Sequence, residues 1–406
     1  MGWSDERAEA VILSAARTPI GRFQGALSRL PAAALGAAVV RAAIERAALL
    51  NPAEIDEVLL GNVVSAGLGQ NVARQAAIFG GLPGSVGAST INKVCGAGLK
   101  TVMLAAQAIR AGDGQLFVAG GVESMSQAPH LVDGRLGQLR YGHVELRDAL
   151  LVDGLCCPFE NWAMGEAAEF IAAEYEISRE AMDRFALASH QKAIAAMDNG
   201  KFEAEIVPVA VTGRKGEATT VTRDESPRRD TSLKALRNLK PAFRPDGRVT
   251  AGNAPGLNDA AAALVIASRA KAEAIGAKPL ARIVGYAQAA VEPKYIFAAP
   301  AKVIPRLLEK VGWRLAEVDL VELNEAFAAQ ILANGYALAG LGWDWQKVNV
   351  HGGAIALGHP LGATGARLLT TLLYALKDRG LKRGLASLCL GGGEAVAMAV
   401  EMSDAT

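Results

Sequence analysis

Unbroken apolar runs alternate with alanine-rich stretches of helical period along the first third of the chain. Residues 11–16, 57–63 and 116–121 are apolar at most successive positions. That is the mark of a strand buried on both faces. Residues 32–48 and 70–79 and the stretch 99–109 read as helices, the first ended by Asn51-Pro52. Short apolar strands alternating with helices predict an α/β fold with a largely parallel sheet covered on both sides.

From about residue 125 to 248 the pattern turns more polar. Residues 178–197 hold a helix, capped by Ser178 and with Glu180 in its first turn. Residues 224–230 read as a loop. An apolar run at 261–267 returns to the core. Beyond Lys278-Pro279 the opening pattern recurs, with strands at 281–287, 320–323 and 385–389 and helices at 299–311 and 325–338. The recurrence predicts two similar halves. It divides the chain into 1–124 with 249–278, an inserted region 125–248, and 279–406.

Composition narrows the classes. The chain has 406 residues and a formal net charge of +1, which argues against a nucleic-acid partner. No uncharged apolar run reaches about 18 residues, so no membrane span is expected. Residues 1–6 lack an apolar signal core, Glu6 breaks the myristoylation pattern, and residues 403–406 form no recognisable address. The 4 cysteines show no repeated C-x-x-C spacing, so a reducing, cytoplasmic compartment is expected rather than a disulfide framework. The 5 histidines lack the spacing of a zinc site, and no metal is expected.

Four segments carry chemistry. Cys95 lies in Asn92-Lys93-Val94-Cys95-Gly96-Ala97-Gly98, between a strand end and a helix start. Free N–H groups and a positive dipole end there are expected to lower the thiol's pKa. Asn324-Glu325-Ala326-Phe327 marks a second strand-to-helix junction. His359 lies between glycine-rich turns that carry five glycines from 352 to 365. Cys389-Leu390-Gly391-Gly392-Gly393 closes a third strand. Ligand sites collect at the carboxyl ends of strands in such sheets. A nucleophilic cysteine, a histidine base and glycine-rich backbone donors are the parts of acyl transfer. Cys389 could move a proton, or could be a redox partner of Cys95 or an inert core thiol. No G-x-S-x-G elbow and no Walker ending are present.

These motifs, with Ser14 to Gly21, Gly69 to Gln75 and Gly120 to Ser126, resemble the thiolase (acetyl-CoA C-acyltransferase) family over nearly the entire chain. The resemblance implies a thiolase fold, two similar five-stranded α/β halves with an inserted loop domain over the substrate. It implies a dimer or tetramer without metal or bound cofactor, coenzyme A entering only as part of the acyl-CoA substrate. Cys95 would take the acyl group. His359 would activate it and, with a water held by Asn324, polarise the thioester oxygen. Cys389 would move the α-proton, and the N–H groups of Cys95 and Gly391 would form an oxyanion hole. Met164 would lie near the pantetheine arm, Arg228 near the adenine or ribose phosphate, and Phe243 and Ala251 along the channel. The activity implied is acetyl-CoA C-acetyltransferase, a reversible Claisen condensation of two acetyl-CoA. The alternative is a broader-chain 3-ketoacyl-CoA thiolase. Two positions depart from the short-chain pattern, Ala163 where His is usual and Pro255 where Ser is usual; His351 stands where many members of the family have Asn.

Overall fold

The apolar runs predicted as strands fall in one continuous sheet of the computed structural model, which describes residues 8–49, 51–135, 140–213 and 216–403. The readings at residues 1–6 lie outside the described residues, as do those at 404–406. The first half runs β1 (Ala10–Arg17), α1 (Ala32–Arg46), β2 (Glu57–Gly61), α2 (Val72–Phe79), β3 (Gly87–Ile91), α3 (Ala97–Ala111) and β4 (Leu116–Ser124). The insertion carries α4 (Met164–Glu174) and α5 (Arg179–Asp198), and β5 (Asn258–Ser268) then re-enters the sheet. The second half runs β6 (Ala281–Ala290), α6 (Pro300–Val311), β7 (Leu320–Leu323), α7 (Ala328–Leu338), α8 (Leu361–Arg379), β8 (Arg383–Leu390) and β9 (Glu394–Met402).

Across the sheet the order is β7-β8-β9-β6-β1-β5-β4-β2-β3. Outward from the centre, β1-β5-β4-β2 of the first half match β6-β9-β8-β7 of the second. The first half adds β3 as an outer strand, whereas the second has only the bridge Val321–Val348 at that position. The halves join through two residue pairs, Val11–Arg282 and Ile12–Ala281.

The sheet is mixed, not largely parallel. Pairs β2–β3, β2–β4 and β7–β8 are parallel, while β1–β5, β4–β5, β6–β9 and β8–β9 are antiparallel. Apolar runs report that both faces are covered, not which way a strand points. Alternation within β5 shows the covering. Ala262, Leu264 and Ile266 face a core shared with α3 and α8, and Ala261, Ala263 and Val265 face α1 and α2. On the second half α6 covers the other outer face. Helices α3 and α8 therefore lie in a central layer between the two halves, and their N-termini meet at the carboxyl ends of the strands.

Local signals set several boundaries. Ser178 Oγ accepts from Ala181 N–H at 3.1 Å, the cap read from the sequence. Asn71 does the same for Arg74, so α2 starts at Val72 rather than residue 70. Helix α7 starts at Ala328, not 325, because Phe327 is extended and Glu325 turns inward as an acceptor. No described helix is long and apolar enough to cross a membrane.

Candidate active site

The turn from β3 into α3 is tight for reasons its residues supply. Asn92 Oδ1 accepts from Val94 N–H at 2.9 Å. Val94 then takes φ +46°, a left-handed conformation that a β-branched residue avoids. Gly96 is required, since a Cβ there would lie 1.9 Å from Leu390 Cδ2. Gly391 lets Val94 approach, its own Cβ position being 3.0 Å from Val94 Cγ1. The outcome is Cys95, part-buried and facing a cavity, with its own N–H and that of Gly391 directed at the thiol.

Dense surroundings push the Cys95 thiol up to about 12. The two N–H groups pull it down, the Glu123 carboxylate pushes it further up, and burial dominates. The expectation of a thiol made acidic by the helix start is therefore overturned. The free N–H groups are there, but dehydration outweighs them.

His359 reaches the same place from the other half. Gly358, at φ +115°, presses against Asn258, and Asn258 Oδ1 accepts from His359 N–H at 3.0 Å. The Thr364 hydroxyl donates to Pro360 O at 3.0 Å. Its oxygen is therefore the acceptor for His359 Nδ1–H, 2.7 Å away. That tautomer leaves Nε2 as the acceptor and base. Asn324 Nδ2 lies 3.5 Å from Nε2, and the buried Asn324 Oδ1 has no partner among the described residues. Burial, reinforced by Arg367, holds the imidazole down at about 3, so His359 is neutral near pH 7.

Glycines bring the two helix starts together. A Cβ at Gly98 would lie 2.7 Å from Gly362 O, and one at Gly365 would lie 2.4 Å from Leu99 N. Helices α3 and α8 cross backbone to backbone at these positions. Cys95 and His359 thus open on one cavity of about 300 Å³, together with Cys389 at the end of β8. Cys389 is 2% exposed, and burial holds its thiol well above the usual range.

The cavity wall is apolar. Met164, Phe243, Phe297, Phe327, Leu155 and Leu361 line it, and Ala163 and Pro255 are on it as well. Phe243 packs flat on Gly165, where a Cβ would sit 2.0 Å from the ring. Five of the sequence-derived residues, Cys95, His359, Cys389, Met164 and Phe243, therefore share one cavity. Asn324 stands behind His359, and Gly391 contributes its N–H. Arg228 and Ala251 are exposed and do not line the cavity. Arg228 N–H donates to His190 Nδ1 at 3.1 Å, which makes His190 a structural acceptor. His351 is buried away from the cavity, edge-on to Phe202.

Other polar residues escaped the reading of the sequence. Glu325 accepts from Ser189 Oγ (2.6 Å), Asn349 Nδ2 (2.9 Å) and Ile355 N–H (3.1 Å), fixing the segment before His359. Glu123, fully buried at the end of β4, receives four donors near Cys95. The available signal was a lone carboxylate inside an apolar, glycine-rich segment.

Comparison with known proteins agrees with this geometry. Residues 10–270 match the model for the thiolase N-terminal domain and residues 277–402 that for the thiolase C-terminal domain. The acetyl-CoA acetyltransferase of Pseudomonas aeruginosa is 53% identical over 96% of this chain and 98% of its own. That of Cupriavidus necator is 52% identical over 97% and 99%. The crystal structure of the Bacillus anthracis acetyl-CoA acetyltransferase superposes with a TM-score of 0.94 at 44% identity, covering 97% of this chain and 99% of that one.

Proposed function

The chain belongs to the thiolase family, and from that premise we propose that it is an acetyl-CoA C-acetyltransferase. One observation carries the reading: the part-buried thiol of Cys95, the buried thiol of Cys389, a neutral imidazole and two backbone N–H groups converge on one apolar cavity.

The protonation states support a closed proton cycle. Cys95 Sγ attacks the carbonyl carbon of acetyl-CoA and passes its proton to His359 Nε2. The N–H groups of Cys95 and Gly391 stabilise the tetrahedral oxygen, a contribution of about 3 kcal/mol per donor. The carbon–sulfur bond to CoA breaks, and Cys389, a thiol at rest, protonates the leaving sulfur. Cys389 is then the thiolate that takes the α-proton of a second acetyl-CoA. The enolate carbon attacks the acetyl group on Cys95, acetoacetyl-CoA forms, and the freed Cys95 thiolate recovers its proton from His359. In reverse, CoA cleaves acetoacetyl-CoA. Asn324 orients a water or the thioester oxygen beside Nε2. The apolar wall keeps bulk water from the thioester.

Coenzyme A is substrate only, with no metal or bound cofactor in the proposal. Met164 and Phe243 suit the pantetheine arm, the exposed Arg228 the adenine or ribose phosphate, and Ala251 the outer channel. The division into 1–124 with 249–278, 125–248 and 279–406 belongs to the same reading, with 125–248 covering the CoA site. Self-association as a dimer or tetramer and a cytoplasmic location complete it. A second reading, a broader-chain 3-ketoacyl-CoA thiolase, is favoured by Ala163, which leaves room in the cavity, and by Pro255, which offers it neither a hydroxyl nor a backbone N–H.

Two measurements decide. Mass spectrometry after mixing with acetyl-CoA should find acetyl on Cys95 and none in Cys95→Ala; a label surviving that substitution overturns the covalent route. Thiolysis of C4 to C16 3-ketoacyl-CoA should peak at C4. A profile with no C4 activity and good longer substrates gives the second reading.

A further inference from the structure

Glu123 touches both halves of the site and belongs to neither proposed half-reaction. Its Oε1 accepts from Asn62 Nδ2 (2.9 Å) and Val64 N–H (3.1 Å). Its Oε2 accepts from Val63 N–H (3.1 Å) and Gly362 N–H (2.8 Å). Asn62, Val63 and Val64 follow β2 in the first half. Gly362 lies in the first turn of α8, three residues after His359 in the second. Each oxygen thus has two donors, and each faces both a backbone N–H and a second donor. A carboxylate satisfies such a set, and a neutral amide cannot.

We infer that Glu123 is a positioning residue for the acyl transfer, pinning the His359-bearing start of α8 to the first-half loop beside Cys95. The inference rests on the acyltransferase reading for its effect on turnover, but not for its effect on the thiol. The N–H of Gly362 belongs to the free end of α8, where a buried anion is favourable. The anchoring lies next to the backbone contact of Gly98 with Gly362, so movement there displaces Cys95 and His359 together.

Glu123 also acts on the thiol through its charge. Burial raises the Glu123 carboxyl to about 7 against the N–H groups of Gly362, Val64 and Val63, so it ionises near neutral pH. The titratable groups that face it are Cys95, whose thiolate it disfavours, and Asp259 on β5, itself shifted up by burial. His359 and Cys389 complete the surroundings of Cys95, and Arg367 acts on His359 from within α8. An ionised Glu123 disfavours the Cys95 thiolate.

The test uses Glu123→Gln and Glu123→Asp in the full chain. Alkylation of Cys95 by iodoacetamide, read on the Cys95 peptide, is followed from about pH 6 to about pH 9, together with kcat and KM for thiolysis of acetoacetyl-CoA. In Glu123→Gln the alkylation rate should match wild type near pH 6 and exceed it increasingly as pH rises through about 7, where wild-type Glu123 becomes charged. Its kcat should fall about 100-fold, as a 1 Å misplacement does, with KM within about threefold. Glu123→Asp should keep the wild-type pH dependence of alkylation while losing turnover. If Glu123→Gln does not fold, Asn62→Ala serves instead. It removes one donor, and the alkylation profile should change where the carboxyl titrates, at higher pH. A ratio of alkylation rates that is constant with pH overturns the inference, as does wild-type kcat in Glu123→Gln. A wild-type chain that fails to turn over acetoacetyl-CoA yet shows the alkylation pattern instead sinks the acyltransferase reading and leaves the effect on the thiol standing.

Discussion

Thr364 decides which nitrogen of His359 carries the proton. Its hydroxyl is committed to Pro360 O, so it offers His359 Nδ1–H an acceptor at 2.7 Å and no competing donor. Thr364→Val keeps the shape and removes the acceptor. Nδ1–H is then unsatisfied in a buried site, and the proton is expected to move to Nε2, where no base remains. Wrong-tautomer histidines in other enzymes cost up to about 10⁴ in kcat, so a loss of about 10² to 10³ is expected here. Thr364→Ser should restore most of it. Rates of Cys95 acetylation measured by rapid quench with mass spectrometry check this, and near-wild-type acetylation in Thr364→Val would rule the role out. The residue scale also shows what the sequence could carry. Cys95, His359, Asn324 and Cys389 were legible because each stands at a strand end beside glycines. The direction of the Cys95 shift was not, since burial by Leu390 and the second half is a property of distant chain. Glu123 was invisible for the same reason: a carboxylate closing an apolar strand reads as a strand end until four donors from two halves surround it. Arg228 and Ala251 came from family resemblance alone, and no local pattern pointed to them.

At the scale of elements, the crossing of α3 and α8 holds the site together. Gly98, Gly362 and Gly365 are there because backbone, not side chain, fills the gap. Gly365→Ala would put a methyl 2.4 Å from Leu99 N, which forces the helix starts apart. Overpacking of this kind costs about 1–3 kcal/mol. Cys95 and His359 then separate, and kcat should fall about 100-fold, more than the stability loss explains. Gly340→Ala is the control, because its Cβ meets nothing within 4 Å and its backbone suits any residue. Thermal melts and steady-state kinetics on both variants test the claim, which fails if Gly365→Ala keeps its turnover. The elements themselves were largely readable: apolar runs marked β1, β2, β4 and β5, and the recurrence after residue 278 marked the second half. Strand direction and the start of α7 were not. The antiparallel return of β5 beside β1 depends on where the inserted region comes back, and α7 is shortened by the inward turn of Glu325, neither of which leaves a periodic trace.

The whole molecule carries several buried ionisable groups whose sum predicts how its stability follows pH. Burial raises Glu123 to about 7 and Glu322 to about 8, and it raises Glu205, Glu325 and Asp259 in the same direction. A carboxyl raised on folding binds its proton more tightly in the native state. Its contribution is fully present below about pH 4.5 and is lost as pH rises through the folded value. The histidines have the opposite sign. His190 and His351 are held near 4 and His359 near 3, so their contribution is present above about pH 6.5 and lost as pH falls towards those values. Between about pH 4.5 and 6.5 the two sets oppose one another. Above 6.5 the histidines are neutral in both states and only the carboxyls act, joined at higher pH by the raised thiols of Cys95 and Cys389. The melting temperature should therefore decline from about pH 6.5 to about pH 8.5 and not only at alkaline extremes. Glu322→Gln should flatten that slope. Above about pH 8, where Glu322 is charged, it lowers stability as well, because Arg367, whose Nε and Nη2 lack partners among the described residues, then loses its carboxylate at 3.3 Å. Calorimetry at constant ionic strength, in buffers of low ionisation enthalpy, reads both effects. A melting temperature that is flat or rising across that window would show that the buried carboxyls are ionised in the native state at little cost, through a network of donors stronger than the distances to Arg17, Arg367 and the surrounding amides imply.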